Sequence, residues 1–289
     1  MEKILIHRGR PIHAGEIDFI RNLITSNPDD HRTGLSRRVC QAWNWTQPNG
    51  QPKDMVCRGL LLRLEAEGFI RLPPRQSAAG GRHCRTPEPI LVDQSPIETD
   101  IAGLDPIDIL QVRRTPFEGT HDTLLAQFHY LGYARPVGEH LKYLAFAKGR
   151  PVACLTWSSA PRHIGCRDRF IGWDARLRQK NLHLLAYNTR FLVLPWVRVP
   201  NLASHLLARS AAVIPRDWST LYAHPVYWLE TFVDTSLFRG TCYQAANWIY
   251  LGTTTGRGKN DKTHRPNRSL KAVWGYPLCR RFKERLHGG

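Results

Sequence analysis

Residues 238–252 read FRGTCYQAANWIYLG. Gly240 precedes a short helical segment carrying Cys242 and Tyr243, and an apolar run follows that ends at Gly252. Read as a short helix handing over to a strand, this stretch closes an α/β sheet and leaves Tyr243 as either a packing residue or a chemical one. The upstream segments support the sheet. HDTLLAQFHYLG (121–132) has helical spacing, and KYLAFAKGRPVACLTWSS (142–159) reads as a hairpin turning at Gly149-Arg150. QKNLHLLAYNTRFLVLPW (179–196) predicts a helix and then a buried strand over residues 191–196. PNLASHLLARSAAVI (200–214) is an amphipathic helix starting after Pro200, and PVYWLETFVD (225–234) is another strand. Strands alternating with helices imply an α/β domain with a central sheet, placed at residues 117–255.

The N-terminal part has a different pattern. AGEIDFIRNLITSNPD (14–29) sets Ile17, Ile20 and Ile24 at helical spacing and stops at Asn27-Pro28. TGLSRRVCQAWNW (33–45) offers Ser36 as an N-cap with Val39 and Trp43 on one face. KDMVCRGLLLRLEAEGFIRLPP (53–74) predicts a helix capped at Asp54, striped by Val56, Leu60, Leu61 and Leu64, and closed by Gly68. FIRLPP then reads as a strand and RQSAAGGRHCR as a basic loop. Three helices, a strand and a basic loop form the order of a winged helix-turn-helix, placed at residues 1–86. Lys53 and Arg58 would lie on its reading helix and Arg37 and Arg38 on the preceding one, while Arg75, Arg82 and Arg85 would touch backbone phosphates. A protein-interaction or dimerisation module has the same pattern. Residues 87–116, rich in Pro, Asp and Ile, read as a linker packed on the surface, with room for one short strand.

Charge supplies the broadest functional signal. Forty-one Lys and Arg face 24 Asp and Glu, a net charge of +17. Such a field draws polyanions, and DNA is the expected partner. Residues 256–289 form a basic tail in which GRGKNDKTHRPNR (256–268), including Arg257 and Lys259, lacks apolar periodicity and suits a phosphate backbone. The seven cysteines never form a CxxC pair, which argues against a zinc knuckle and fits reduced thiols. There is no apolar run of about 18 residues and no signal-peptide pattern, so a cytoplasmic protein without a membrane partner is expected.

The consecutive stretches HYLGYARPVGEHLKYLAF, RDRFIGWD, NTRFLVLPWVRVPNLASHLL and LETFVDTSLFRGTCYQAANWIYLGTTTGRG resemble the Druantia anti-phage protein DruA family, a domain also found at the front of some transposases. RRVCQAWNW and the segment after it resemble that family's leading region. The resemblance implies phage defence or mobile DNA, with other defence proteins, including a helicase, as partners. The order of elements ending in CYQAANWIYLG is also similar to the acetyltransferase fold of the GNAT superfamily. That likeness implies a general-acid role for Tyr243, protonating the leaving thiolate of coenzyme A, with Asn247-Trp248 matching a "GF" pair. The corresponding phosphate turn, residues 199–204, has no glycine, and Leu202 is expected to obstruct approach to a pyrophosphate. This departure argues against coenzyme A.

Two further chemistries are open to these residues. Glu230 and Asp234 stand four apart on a strand and hence on one face, where they could hold Mg²⁺ for strand cutting; Asp168 and Asp174 are possible additions. The alternative is that they pair with Arg190, Arg198 and Arg239. Tyr243 could attack a DNA phosphate held by Arg190, His205 or Arg239, or could simply pack. His129 and His205 sit in apolar helical runs and read as core histidines. The arginines among the tryptophans of this domain suit contact with unpaired bases, and Arg190, Arg198 and Arg239 are its candidate DNA contacts. The oligomeric state has no sequence signal.

Overall fold

A computed structural model describes residues 3–288 apart from 9, 48, 49, 75–86, 89 and 258–268. The chain divides into two compact units, Met1–His83 with Arg216–Pro225, and Cys84–Pro215 with Val226–Gly289.

The first unit opens with strands β1 (Lys3–His7) and β2 (Arg10–His13), an antiparallel pair, followed by helices α1 (Ala14–Ser26), α2 (Arg32–Ala42) and α3 (Asp54–Ala66). Glu16 fixes the start of α1 by accepting the His13 backbone N–H at 3.0 Å. Ile17 and Ile20 of α1, Leu35 and Val39 of α2, and Leu60, Leu61 and Leu64 of α3 share one core. Helix α2 begins a turn earlier than expected. Ser36 is buried within it, and its hydroxyl donates to the Thr33 carbonyl at 2.9 Å instead of capping. On α3, Lys53 is the cap position, Asp54 is the first helical residue, and Gly68 ends the segment at φ +81°.

Residues 69–74 form no strand. Their polar backbone groups bond to helix side chains: Arg21 Nε donates to the Phe69 carbonyl and Arg32 Nε to that of Pro73, both at 2.8 Å, while the Leu72 N–H donates to Glu65. A segment whose backbone is satisfied in this way has no need of a ladder partner. Among the described residues, the strands of this unit lie before its helices. The basic loop with Arg75, Arg82 and Arg85 lies outside the described residues.

The second unit is a mixed α/β domain around a seven-stranded sheet. Its elements begin inside the expected linker, with strand β3 (Ile97–Glu98), the short helix α4 (Ile101–Leu104) and β4 (Ile107–Gln111). β4 is a sheet edge paired antiparallel to β5 (His140–Ala147), with Ile107 opposite Ala147. Helix α5 (Glu118–Phe128) lies between them in sequence. β5 turns into β6 (Arg150–Ser159) through Lys148 and Gly149, both at positive φ. That geometry places the turn one residue earlier than the sequence implied.

Helices α6 (Gly165–Ile171) and α7 (Ala175–Asn181) lead to β7 (Leu185–Val193), which starts six residues before the predicted strand. β8 (Val197–Arg198) pairs with β3, and α8 (Leu202–Tyr222) continues through Pro215. β9 (Trp228–Asp234), α9 (Thr241–Ala245) and β10 (Ile249–Thr253) follow. The expected basic tail then supplies β11 (Lys271–Pro277) and α10 (Phe282–His287), and β11 is inserted between β10 and β9. Its KAVWGYP pattern buries Ala272 and Val273, and Leu286 of α10 is wholly buried. The Leu286 carbonyl accepts from both Trp173 Nε1 (3.0 Å) and Asn181 Nδ2 (2.8 Å). Residues 269–288 are therefore structural, and local charge had hidden a strand.

All neighbouring strands of the large sheet are antiparallel except β7 and β9. Those two are parallel, and paired only over Leu185–Asn188 with Trp228–Thr231.

Candidate functional site

Beyond Asn188 and Thr231 the two parallel strands part. β7 stays bonded to β6, and β9 stays bonded to β11 as far as Asp234 opposite Lys271. The gap is a cavity of about 440 Å³ lined by the second halves of both strands, the end of α5 and the start of α9. Helix α9 begins beside it because Gly240 takes φ +74°, and a Cβ there would lie 3.1 Å from the Trp274 ring nitrogen.

Tyr243 lines this cavity and is 7% exposed. Its hydroxyl donates to Asn188 Oδ1 at 3.1 Å and lies 3.5 Å from the Thr231 hydroxyl. Its ring meets Trp248 edge-on at 5.2 Å. Burial pushes the phenol well above its ordinary range, so the oxygen keeps its proton at physiological pH. Such a group serves as a hydrogen-bond donor, as it does to Asn188.

Arg190 also lines the cavity. Its Nε donates to the Gly132 carbonyl at 2.9 Å and one η nitrogen to the Thr189 carbonyl at 2.8 Å, which fixes the guanidinium plane. No carboxylate pairs with it among the described residues, and burial lowers its pKa. Nearby His129 accepts the Leu131 N–H on Nδ1 at 3.1 Å. Burial, then the neighbouring Arg190 charge, push its pKa down to about 4, so it is a neutral imidazole. The rim carries Asp234, Arg239 and Lys271.

Glu230 does not share this site. It is 0% exposed and bonds to the buried Arg167 at 3.0 Å, and Arg167 also bonds to Asp168 at 2.8 Å. Burial raises the Glu230 pKa to about 7 against the opposing pull of Arg167. Asp234 is instead held by the hydroxyls of Ser236 and Ser269, which lower its pKa. The expected carboxylate pair thus divides between different partners. The arginine on Glu230 is Arg167, not Arg190, Arg198 or Arg239. Asp168 also binds Arg178 at 3.1 Å, and Asp174 caps α7 through the Leu177 N–H at 2.7 Å. Among the described residues, no group of three or more His, Cys, Asp or Glu side chains is gathered to hold a metal.

A second polar group has the order of a hydroxyl, imidazole and carboxylate relay. Thr156 Oγ1 lies 3.2 Å from His121 Nε2, and His121 Nδ1 lies 2.9 Å from Asp122. Thr156 and His121 are both buried and line no part of the cavity, and Lys142 neutralises Asp122 at 2.7 Å. This is core architecture.

The other expected DNA contacts are dispersed. Arg37 is exposed without an ion pair among the described residues; Arg38 pairs with Asp30 at 2.6 Å and Arg58 with Asp54 at 3.4 Å. Lys53 is half-buried with its pKa lowered by burial. Arg198 pairs with Glu98 at 2.8 Å, while Arg257 is exposed. Lys259 lies outside the described residues. His205 is half-buried on α8 and does not line the cavity. Sequence reasoning missed Asn188, Thr231, Lys271 and the exposed rings of Tyr130 and Phe238. Asn188 alone carried a signal, as a polar residue inside an apolar strand.

Residues 91–280 match the model of the family described as Druantia protein DruA. The chain belongs to that family. Membership implies a role in anti-phage defence. No curated protein matches the chain. Among solved structures it is similar to an N-acetyltransferase from Staphylococcus aureus Mu50, at 10% identity and TM-score 0.38 over 60% of this chain and 97% of that one. It is also similar to a GNAT-family acetyltransferase from Streptococcus pneumoniae, at 13% identity and TM-score 0.31 over 48% of this chain and 67% of that one. An aminoglycoside acetyltransferase in complex with coenzyme A gives 14% identity and TM-score 0.37 over 62% and 96%. Likenesses of this size assign no chemistry to the family member described here. No helix among its described residues is long and apolar enough to cross a membrane.

Proposed function

We propose that the protein is a cytoplasmic DNA-binding component of anti-phage defence, acting with other defence proteins, a helicase among them. The observation that carries this reading is charge the fold leaves uncompensated. In a chain of net charge +17, Arg37 in the first unit and Arg239 in the second are exposed, with no acidic partner among the described residues. Cations held away from carboxylates are available to phosphates, and each phosphate neutralised releases condensed counterions. A winged-helix use of the first unit would place Arg37, Arg38, Lys53 and Arg58 toward duplex DNA. Arg37 is the one of these four free of both an ion pair and burial.

Titrating the protein against labelled duplex and single-stranded DNA over a salt series tests the reading. Affinity should fall steeply with salt, and Arg37→Gln and Arg239→Gln should each reduce the slope by roughly one. Absence of salt-dependent affinity for any nucleic acid would sink it.

Acyl transfer from coenzyme A is a second reading; the turn at 199–204 still has no glycine, but one objection to it falls away. Leu202 is 1% exposed and packs into the core, so its side chain does not obstruct the turn before α8 as the sequence implied. Thermal stabilisation by coenzyme A would support this reading. The transposase-like alternative gains nothing from the geometry, because Tyr243 is buried with its hydroxyl on Asn188 and Glu230 is committed to Arg167.

A further inference from the structure

We infer that the cavity between the parted ends of β7 and β9 binds a single nucleotide, its phosphate on Arg190 and its base against Tyr130 and Phe238. The inference rests on the nucleic-acid reading above and gives it a site in the second unit. Three observations converge on a phosphate carrying an aromatic ring.

The first is the state of Arg190. Two carbonyl bonds hold its guanidinium in place, and its second η nitrogen makes no hydrogen bond among the described residues. A partly desolvated cation without a counter-charge is unfavourable, and an anion entering the cavity relieves it. His129 stays neutral beside it, so it adds a donor without competing for the charge.

The second is the wall. Tyr130 and Phe238 line the same cavity, yet they are 50% and 49% exposed and meet edge-to-face at 5.1 Å. Leu131 and Leu237 beside them in sequence are also about half exposed, at 48% and 59%. His129 stacks on Tyr130 at 4.8 Å. Half-exposed rings beside an arginine with no carboxylate partner among the described residues form a stacking platform with a phosphate anchor, which suits unpaired bases of any sequence.

The third is capacity and polarity. About 440 Å³ accommodates a nucleotide. Asn188, Thr231 and Tyr243 make part of the lining polar, with their groups bonded to one another and, through Asn188 Nδ2, to the Thr156 and Arg190 carbonyls. Arg239 and Lys271 at the rim suit the adjoining phosphates of a strand.

The nucleotide has two possible sources, a free mononucleotide or one unit of an unpaired strand. The test uses the full chain with a single-stranded oligonucleotide containing 2-aminopurine, a matched duplex, dAMP and coenzyme A. Stacking on Tyr130 and Phe238 should quench 2-aminopurine fluorescence on binding. The Tyr130→Ala/Phe238→Ala variant should lose the quench and roughly tenfold in single-strand affinity, while duplex affinity stays within about twofold. Arg190→Met should weaken single-strand binding and lower its salt slope by about one. Both substitutions of the ring variant lie at exposed positions, and the quench is read first on the unaltered protein, so a folding defect in Arg190→Met leaves the test intact. Thermal stabilisation by dAMP, lost in the ring variant, without strand binding would support the site with a free nucleotide and overturn the DNA reading. Strand binding without quench, unaffected by the ring variant, would overturn the site and leave the DNA reading standing. Stabilisation by coenzyme A with no response to dAMP or the strand would overturn both.

Discussion

Asn188 on β7 accepts the hydroxyl proton of Tyr243 on α9 across 3.1 Å, at the point where β7 and β9 stop pairing. The bond ties the short helix to the sheet and orients the phenol within the cavity. Tyr243→Phe removes the hydroxyl that donates to Asn188 Oδ1 and leaves that oxygen in a buried setting, so stability should drop by about 1–2 kcal/mol in urea denaturation. Because the phenol is buried and its hydroxyl is tied to Asn188, no covalent tyrosyl–DNA adduct should form with the unaltered protein between pH 6 and 9. A protease-sensitive slow band on a denaturing gel, lost in Tyr243→Phe, would refute this.

The ion pair between Arg167 and Glu230 should behave as a structural element. Arg167→Met strands a carboxylate at 0% exposure and should destabilise the protein by about 3–5 kcal/mol. Glu230→Gln should be milder, and neither variant should respond to added Mg²⁺. The pH dependence has a definite sign. The folded pKa of Glu230 is raised to about 7 from an ordinary 4.5, so its contribution is fully present below 4.5 and is lost as pH rises through 7. Relative to the unaltered protein, Glu230→Gln should lose that decline in denaturation midpoints measured from pH 4.5 to 8.

Much of the fold was legible, and the failures share a cause. Helices α1, α3 and α5 and the β5–β6 hairpin were written in local periodicity, because each buries one face or turns at residues suited to positive φ. β11 was not, and the linker had room for one short strand where β3 and β4 both form. β4 is an edge strand with Leu110 45% exposed, so its apolar alternation is weak, and β11 follows a basic stretch whose charge dominated the window. The pairing of Glu230 with Arg167 crosses 63 positions and has no local signature. Tyr243 stood out through the helix it sits on, as a packing or a chemical residue, and the fold puts it on the cavity wall. Arg190 was grouped with Tyr243 from the sequence, whereas Asn188 was not, because it meets Tyr243 only where β7 and β9, distant in sequence, part.

His140 should set part of the acid limit of stability. Its Nδ1–H donates to the Gly138 carbonyl at 2.8 Å, and its Nε2 accepts from Arg113 Nε at 3.2 Å, an arrangement that requires a neutral ring. Burial is the main cause of a folded pKa near 4, and Arg113 adds to it. The depressed value means that this contribution is present above the ordinary 6.5 and is lost as pH falls toward 4. In His140→Gln, the fall in melting temperature between pH 6.5 and 4 should be shallower than in the unaltered protein. An unchanged slope would show that His140 does not titrate in that window.

Gly275 on β11 marks where the former tail meets the core. A Cβ at this position would lie 1.8 Å from the Trp228 ring, with two further ring atoms within 2.7 Å. Trp228 is fully buried and is itself stacked on Phe282 of α10 at 5.1 Å, so the ring cannot swing aside without displacing that helix. Gly275→Ala should therefore destabilise the second unit by about 1–3 kcal/mol or more, the range for overpacked cores. The same glycine explains why β11 fits between β9 and β10: a strand with any side chain there would be held off Trp228, and its register with β9, Gly275 opposite Glu230, would be lost. Hydrogen exchange gives the decisive readout. In Gly275→Ala the amides of β11 should lose protection ahead of those of β5 and β6, whereas uniform loss across the sheet would show that the contact is not local to the inserted strand.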